Sequence, residues 1–224
     1  MKIVVAARCR NEIQHIDRFL DRYDFADAIV VSDGGSTDGS IQRLWSEKKV
    51  WLHHFDEQET VGGETWNPDH SHINFVIERA KAWFPDWVIF DDLDSTPTLS
   101  LKHQARRLLG ECDQLQVNAF RLYMWGEDKY FPYMNRHFSD GYTSLWAWRP
   151  KYLDIRADPN VRHGTLIGLS EEICHLDIPY CLLHRSWHPD TIDKKIARYN
   201  ALGLPMEHPL NFAGQPETLP EWAK

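Results

Sequence analysis

A four-residue apolar run, Trp87-Val88-Ile89-Phe90, passes without a break into four residues carrying three carboxylates, Asp91-Asp92-Leu93-Asp94. A short β-branched and aromatic run of this kind reads as a buried strand. Two earlier runs behave alike. Lys2–Ala7 delivers the chain to Arg8, Arg10, Asn11 and Glu12, and Ala28–Val31 delivers it to Ser32-Asp33-Gly34-Gly35-Ser36-Thr37-Asp38-Gly39, a loop dense in turn formers. Helical spacing separates them. Ile13, Ile16, Phe19 and Leu20 mark a helix over 11–24, and Ile73, Val76, Ile77, Ala80 and Trp83 mark one over 71–84. Alternating strands and helices predict an α/β fold with a mostly parallel twisted sheet flanked by helices. Ligands of such sheets sit beyond the carboxyl ends of the strands, where these polar loops fall.

The rest of the pattern is coarser. Strands are predicted over 50–54, 115–125, 142–148 and 178–183, and helices over 99–109 and 190–202. Residues 55–70 read as a loop, and Asp38 as the cap of a helix through Leu44 and Trp45. The prolines after 204 predict an extended tail lying on the surface. With no repeat or linker, residues 1–224 read as a single domain. Within it the pattern divides into a regular half over 1–98, a less regular half over 99–204 and a Pro-rich tail over 205–224.

Charge and cysteines narrow the classes. A formal charge of -8 excludes a general nucleic-acid binder, while a cation can still invert the field locally for one anionic ligand. Cys9, Cys112, Cys174 and Cys181 form no C-x-x-C pair and read as separate thiols of a reducing compartment. The apolar run before Arg8 is too short for a signal peptide core or a membrane span, so a cytoplasmic protein is expected. Trp125, Tyr130, Tyr133 and Trp146 read as core before they read as a sugar platform.

Each polar cluster has two readings. Asp92 and Asp94 share one side of their turn, and paired carboxylates repel unless a proton or cation intervenes. Mg2+ or Mn2+ takes oxygen ligands and bridges diphosphates, so the pair suits such an ion; solvated acids ahead of a helix explain it more plainly. Asp33 is suited to accept hydrogen bonds from a base or ribose, and an ordinary strand-to-helix turn accounts for the same loop equally well. Arg10, Asn11 and Glu12 suit a base edge or a helix cap. His184 suits a metal or simply ends a strand, and Lys194, Lys195 and Arg198 face a diphosphate or solvent.

Taken in order, these segments resemble family 2 glycosyltransferases of the GT-A fold. Val30–Ser40 resembles the donor-binding loop, Arg10-Asn11-Glu12 the Asn-Glu element, and Trp87–Asp94 the DxD segment. The resemblance covers the first half of the chain. It implies a nucleotide-diphosphate sugar donor and a hydroxyl acceptor, usually with inversion. Glu12 and Asp33 would contact the nucleoside, with Arg10, Asn11 and Gly35 beside them. Asp92 and Asp94 would contact ribose and metal, with His184 completing the metal site. The chain also departs from the pattern. Ser95 stands where many relatives carry an acid, and His163-Gly164 stands where an acid would follow a His as catalytic base. Glu171, Glu172 and Asp140 are the nearby substitutes, with Glu171 and Glu172 preferred. Donor and acceptor choice would fall to 57–68 and 123–148.

Rival readings remain. Asp92-Leu93-Asp94-Ser95-Thr96 fits the DxDxT motif of haloacid-dehalogenase-like phosphatases, with Asp92 phosphorylated and Asp94 as acid/base. A non-catalytic nucleotide-sugar-binding module would also explain the missing acid. A nucleotidylyltransferase needs a Gly-rich loop after the first strand, which Ala7-Arg8-Cys9-Arg10 does not supply.

Overall fold

The computed structural model describes residues 1–61, 64–131, 143–160, 166–187, 189–190, 192–201, 209 and 215–221. Its first half alternates as the sequence predicts. The strands are β1 (Ile3–Cys9), β2 (Ala28–Asp33), β3 (Val50–His54) and, further on, β6 (Trp87–Phe90). The helices are α1 (Ile13–Arg22), α2 (Ser40–Trp45) and α3 (Asp69–Lys81). The strands lie in the order β3-β2-β1-β6, and every neighbouring pair is parallel.

The long apolar runs form strands because both their faces are covered. Ile3, Val5, Ala7 and Cys9 join a core with Ile16 and Phe19 of α1 and Leu44 of α2. Val4 and Ala6 face the other way, onto Ile73, Val76, Ile77 and Ala80 of α3. The strand period of two thus feeds two separate cores. The first also takes Leu101, Ala105 and Leu109 of α4 (Leu99–Glu111), whose start is capped by Thr98 accepting from Leu101 N at 3.3 Å.

Beyond β6 the sheet becomes mixed. β10 (Thr143–Trp148) runs antiparallel to both β6 and β8 (Gln116–Trp125). β13 (Ile173–His175) and β14 (Cys181–Trp187) lie parallel to β8. β14 also pairs with β7 (Ser95–Pro97), directly after the acid turn. Past β8 come β9 (Lys129–Tyr130) and β15 (Glu217–Thr218), so part of the Pro-rich tail adds a strand at this edge. Two short pairs stand apart from this sheet: β4 (Glu59–Val61) with β5 (Glu64–Trp66), and β11 (Arg156–Ala157) with β12 (Leu166–Ile167). A helix α5 (Ile192–Ala201) follows β14.

Several sequence expectations need correction. The stretch 55–70 holds the β4–β5 hairpin and the start of α3, and Ser95–Pro97, for which the sequence pattern predicts no element, is a strand. The strand expected over 178–183 begins at Cys181 and continues to Trp187, so His184 lies within it and does not end it. Gly39, in the left-handed conformation, takes the position before α2; Asp38 accepts from Ser40 N and from Ile13 N, tying α2 to α1. Trp146 is core, as expected, and Trp125 and Tyr130 are half-buried; Tyr133 lies outside the described residues. All four cysteines are free thiols.

Candidate donor-binding site

In the order β3-β2-β1-β6 the chain leaves β1 in both directions, and a crevice forms where the strand order reverses. Its floor is the carboxyl end of β1. On one side stands the loop after β2. Asp33 Oδ2 accepts from Gly35 N and Ser36 N, both at 2.9 Å, and Asp33 Oδ1 accepts from the Ser36 hydroxyl. Gly35 sits at φ 92, where a side chain would be strained. Asn11 Oδ1 accepts from Thr37 N at 2.8 Å, and Ser36 Oγ accepts from Asn11 N at 2.9 Å. Ser36 and Asn11 therefore hold the two loops together, and the buried Asp33 closes its own loop. Arg10 donates to Asn67 Oδ1 at 3.1 Å, and Asn67 packs so tightly on Gly34 that a Cβ there would come within 1.9 Å of it.

The acid turn forms the other side, and its three aspartates are treated differently. Asp91 is fully buried; it accepts from Tyr23 Oη at 2.6 Å and from Arg121 Nη2 at 3.3 Å. Burial pushes its carboxyl up to about 6, against the pull of Arg121 and Tyr23. Asp92 Oδ1 accepts from both Arg8 Nε (3.2 Å) and Arg8 Nη2 (2.9 Å). Burial alone would raise Asp92, but Arg8 and Arg121 outweigh it and bring it down to about 2. Asp94 faces His184, with 3.5 Å between Oδ1 and Nδ1. Both atoms are buried, and among the described residues neither has a hydrogen-bond partner. His184 is pushed down to about 4 by burial, despite Asp94, so its ring is neutral.

Glu12 joins this corner. Burial first, then Asp94 and Asp92, push it up to about 8, while Lys195 of α5 draws it down. The structure thus gathers Glu12, Asp92, Asp94 and His184 in one corner, and Asp33 flanks the end of β1 from the opposite side.

It does not bring Glu171 and Glu172 there. Both are exposed and immediately precede β13, whose Ile173 pairs with Gln116 at the start of β8, whereas His184 pairs with Tyr123 near its end. Seven strand residues separate those levels, about 23 Å of rise. The preferred base residues therefore stand at the wrong end of the sheet. Asp140, His163 and Gly164 lie outside the described residues.

The expected metal set is Asp92, Asp94 and His184. Among the described residues no group of three or more His, Cys, Asp or Glu side chains is placed to hold an ion, and Asp92 is tied to Arg8. What remains is the Asp94–His184 pair, one oxygen and one imidazole nitrogen. That donor set fits an ion which takes its other ligands from a diphosphate and water, as Mg2+ or Mn2+ commonly does. Three participants escaped the sequence reading, Asp69, Tyr23 and Arg121, and Arg8 is noted there without a role of its own. Their only signal is the cost of burying charge without a partner, which requires knowing what is buried.

Two cavities of about 510 and 380 Å3 lie elsewhere. The first is between Phe55 and the outer face of α3, and the second is beside Lys49.

No protein-family model and no curated protein matches the sequence. Solved structures do. TarS 1-349 from S. aureus matches with a TM-score of 0.56 at 17% identity, covering 83% of this chain and 61% of that one. Its complex with UDP-GlcNAc gives 0.57 at 16% identity, over 83% and 59%, and its complex with UDP gives 0.57 at 17%, over 91% and 64%. The fold is GT-A-like. At such identities the likeness concerns architecture, and this chain spans less than two thirds of those TarS chains. Among the described residues no helix is long and apolar enough to cross a membrane.

Proposed function

We propose that the chain binds a nucleotide-diphosphate sugar across the carboxyl ends of β1, β2 and β6 and transfers the sugar to an acceptor hydroxyl. The observation that carries this reading is the Asp94–His184 pair: two buried polar atoms, 3.5 Å apart, without hydrogen-bond partners. Other buried polar atoms, such as Nε1 of Trp87, Trp146 and Trp148, also lack a hydrogen bond among the described residues; what sets this couple apart is that an acid and an imidazole face each other beside the switch point, which supports a place completed by a ligand. The TarS structures with UDP-GlcNAc and UDP support the choice of donor.

Asp94 and His184 would hold Mn2+ or Mg2+, which neutralises the charge of a departing diphosphate. The chain supplies the rest. The loop after β2 arrives already rigid, because Asp33 closes it, so a nucleoside would meet a fixed surface and not a mobile segment. Arg121, beneath the turn, holds Asp91 and lets three adjacent aspartates coexist. Family 2 membership, inversion at the anomeric carbon and a cytoplasmic location belong to the same proposal.

Titration calorimetry with UDP, GDP and their sugars, each with and without Mn2+, tests the reading. Tight binding that requires Mn2+ and is lost in Asp94→Ala is expected. Absence of binding by every nucleotide diphosphate, with or without the ion, would refute it. Donor binding without transfer to any acceptor would indicate the non-catalytic module.

A further inference from the structure

Arg8 stands at the centre of the crevice, and neither of the activity's expected charged groups explains it. Its guanidinium contacts two elements at once. Nε and Nη2 both donate to Asp92 Oδ1, at 3.2 and 2.9 Å, and Nη1 donates to Asp69 Oδ1 at 2.7 Å. Asp69 is the first residue of α3, where a carboxylate also suits the positive end of the helix. Arg8 is the next-to-last residue of β1, so one side chain ties β1, the acid turn after β6 and α3 together. The three side chains are neither surface nor core: Arg8 is 21% exposed, Asp69 34% and Asp92 32%.

Both bonds to Asp92 fall on one oxygen. No described residue donates to the other, Oδ2, and the side chain is one-third exposed. Asp92 also shares its corner with Asp94 and Glu12, and Arg8 is the leading charge that offsets the cost of burying Asp92 there. We propose that Arg8 is a positioning residue, which fixes Asp92 so that its remaining oxygen accepts a hydrogen bond from a ribose hydroxyl of the nucleotide donor. This rests on the donor-site reading above. The planar fork is essential to the device. A lysine ammonium carries the same charge but cannot hold two carboxylates in a fixed plane.

The discriminating quantity is the ratio of dissociation constants for 2′,3′-dideoxy-UDP and UDP, measured calorimetrically with Mn2+ present. A single hydrogen bond to a carboxylate gives a ratio of about tenfold in the wild type. In Arg8→Gln and Arg8→Lys the ratio is expected to fall towards one, with UDP weakened and the dideoxy analogue little changed. Asp69→Asn, which keeps the Arg8–Asp92 bonds and loosens the other arm, should give an intermediate ratio. Melting temperatures establish that each variant is folded, and Asp69→Asn and Arg8→Lys retain a test if Arg8→Gln does not fold. An unchanged ratio in a folded Arg8→Gln or Arg8→Lys would overturn the proposal. So would equal weakening of both ligands, which signals only structural damage. A wild type that binds both ligands equally refutes the role of Arg8 while sparing the donor site. A wild type that binds neither refutes the donor site, and this inference with it.

Discussion

The two flanks of the crevice at the end of β1 treat their polar groups in opposite ways. On the β2 flank, Asp33 accepts from Gly35 N, Ser36 N and the Ser36 hydroxyl, and Asn11 and Ser36 stitch one loop to the other. On the β7–β14 flank, Asp94 Oδ1 and His184 Nδ1 are buried side by side with no such partners. Hydrogen bonds made within the protein fix shape, whereas buried groups left unpaired raise the energy of the free protein and are relieved by a ligand. The first flank is therefore scaffold, and the second is where binding energy is gathered.

That contrast is broken or sharpened by substitution on each side. Asp94→Ala should lower turnover by about a thousandfold, the scale of several kcal/mol of lost charge stabilisation, with little change in the unfolding midpoint. Retained activity there would erase the distinction between the flanks. Asp33→Ala should instead cost about 2 kcal/mol of stability in urea unfolding, because it strands the amides of Gly35 and Ser36. Gly34→Ala should cost a little less, about 1.5 kcal/mol in the same measurement, as Asn67 yields to the added methyl. Tyr23→Phe should cost about 1 kcal/mol by removing a donor from buried Asp91. The smallest effect belongs to the double change Glu171→Gln, Glu172→Gln. Turnover should stay within about twofold, as for exposed positions remote from a site. A large loss there would mean that the far end of β8 takes part in catalysis.

Some of this was legible in the residues alone. Asp92 and Asp94 lie two apart behind an apolar strand, so covalent geometry delivers both to one edge whatever the rest of the fold does. The same holds for the loop after β2, where Asp33, Ser36 and the glycines close a turn within a few residues. The β4–β5 hairpin and β7 were not legible, since three-residue strands are too short to show a period. Glu171 and Glu172 misled for a related reason. Their nearness in sequence to the expected base position says nothing about the level at which β13 joins β8.

Local sequence determined the strands, the helices between them and the acids that end one of them, because each follows from patterns spanning a few residues. Tertiary structure alone decided which acids are neutralised and which are left open. Arg8 reaches Asp92 across 84 positions, and Arg121 reaches Asp91 across 30. The pairing of β14 with β7 sets His184 opposite Ser95, within reach of Asp94. Coulomb interactions fall off with distance in space, not along the chain, so the roles of the three aspartates exist only once β1, β6, β8 and β14 are in register.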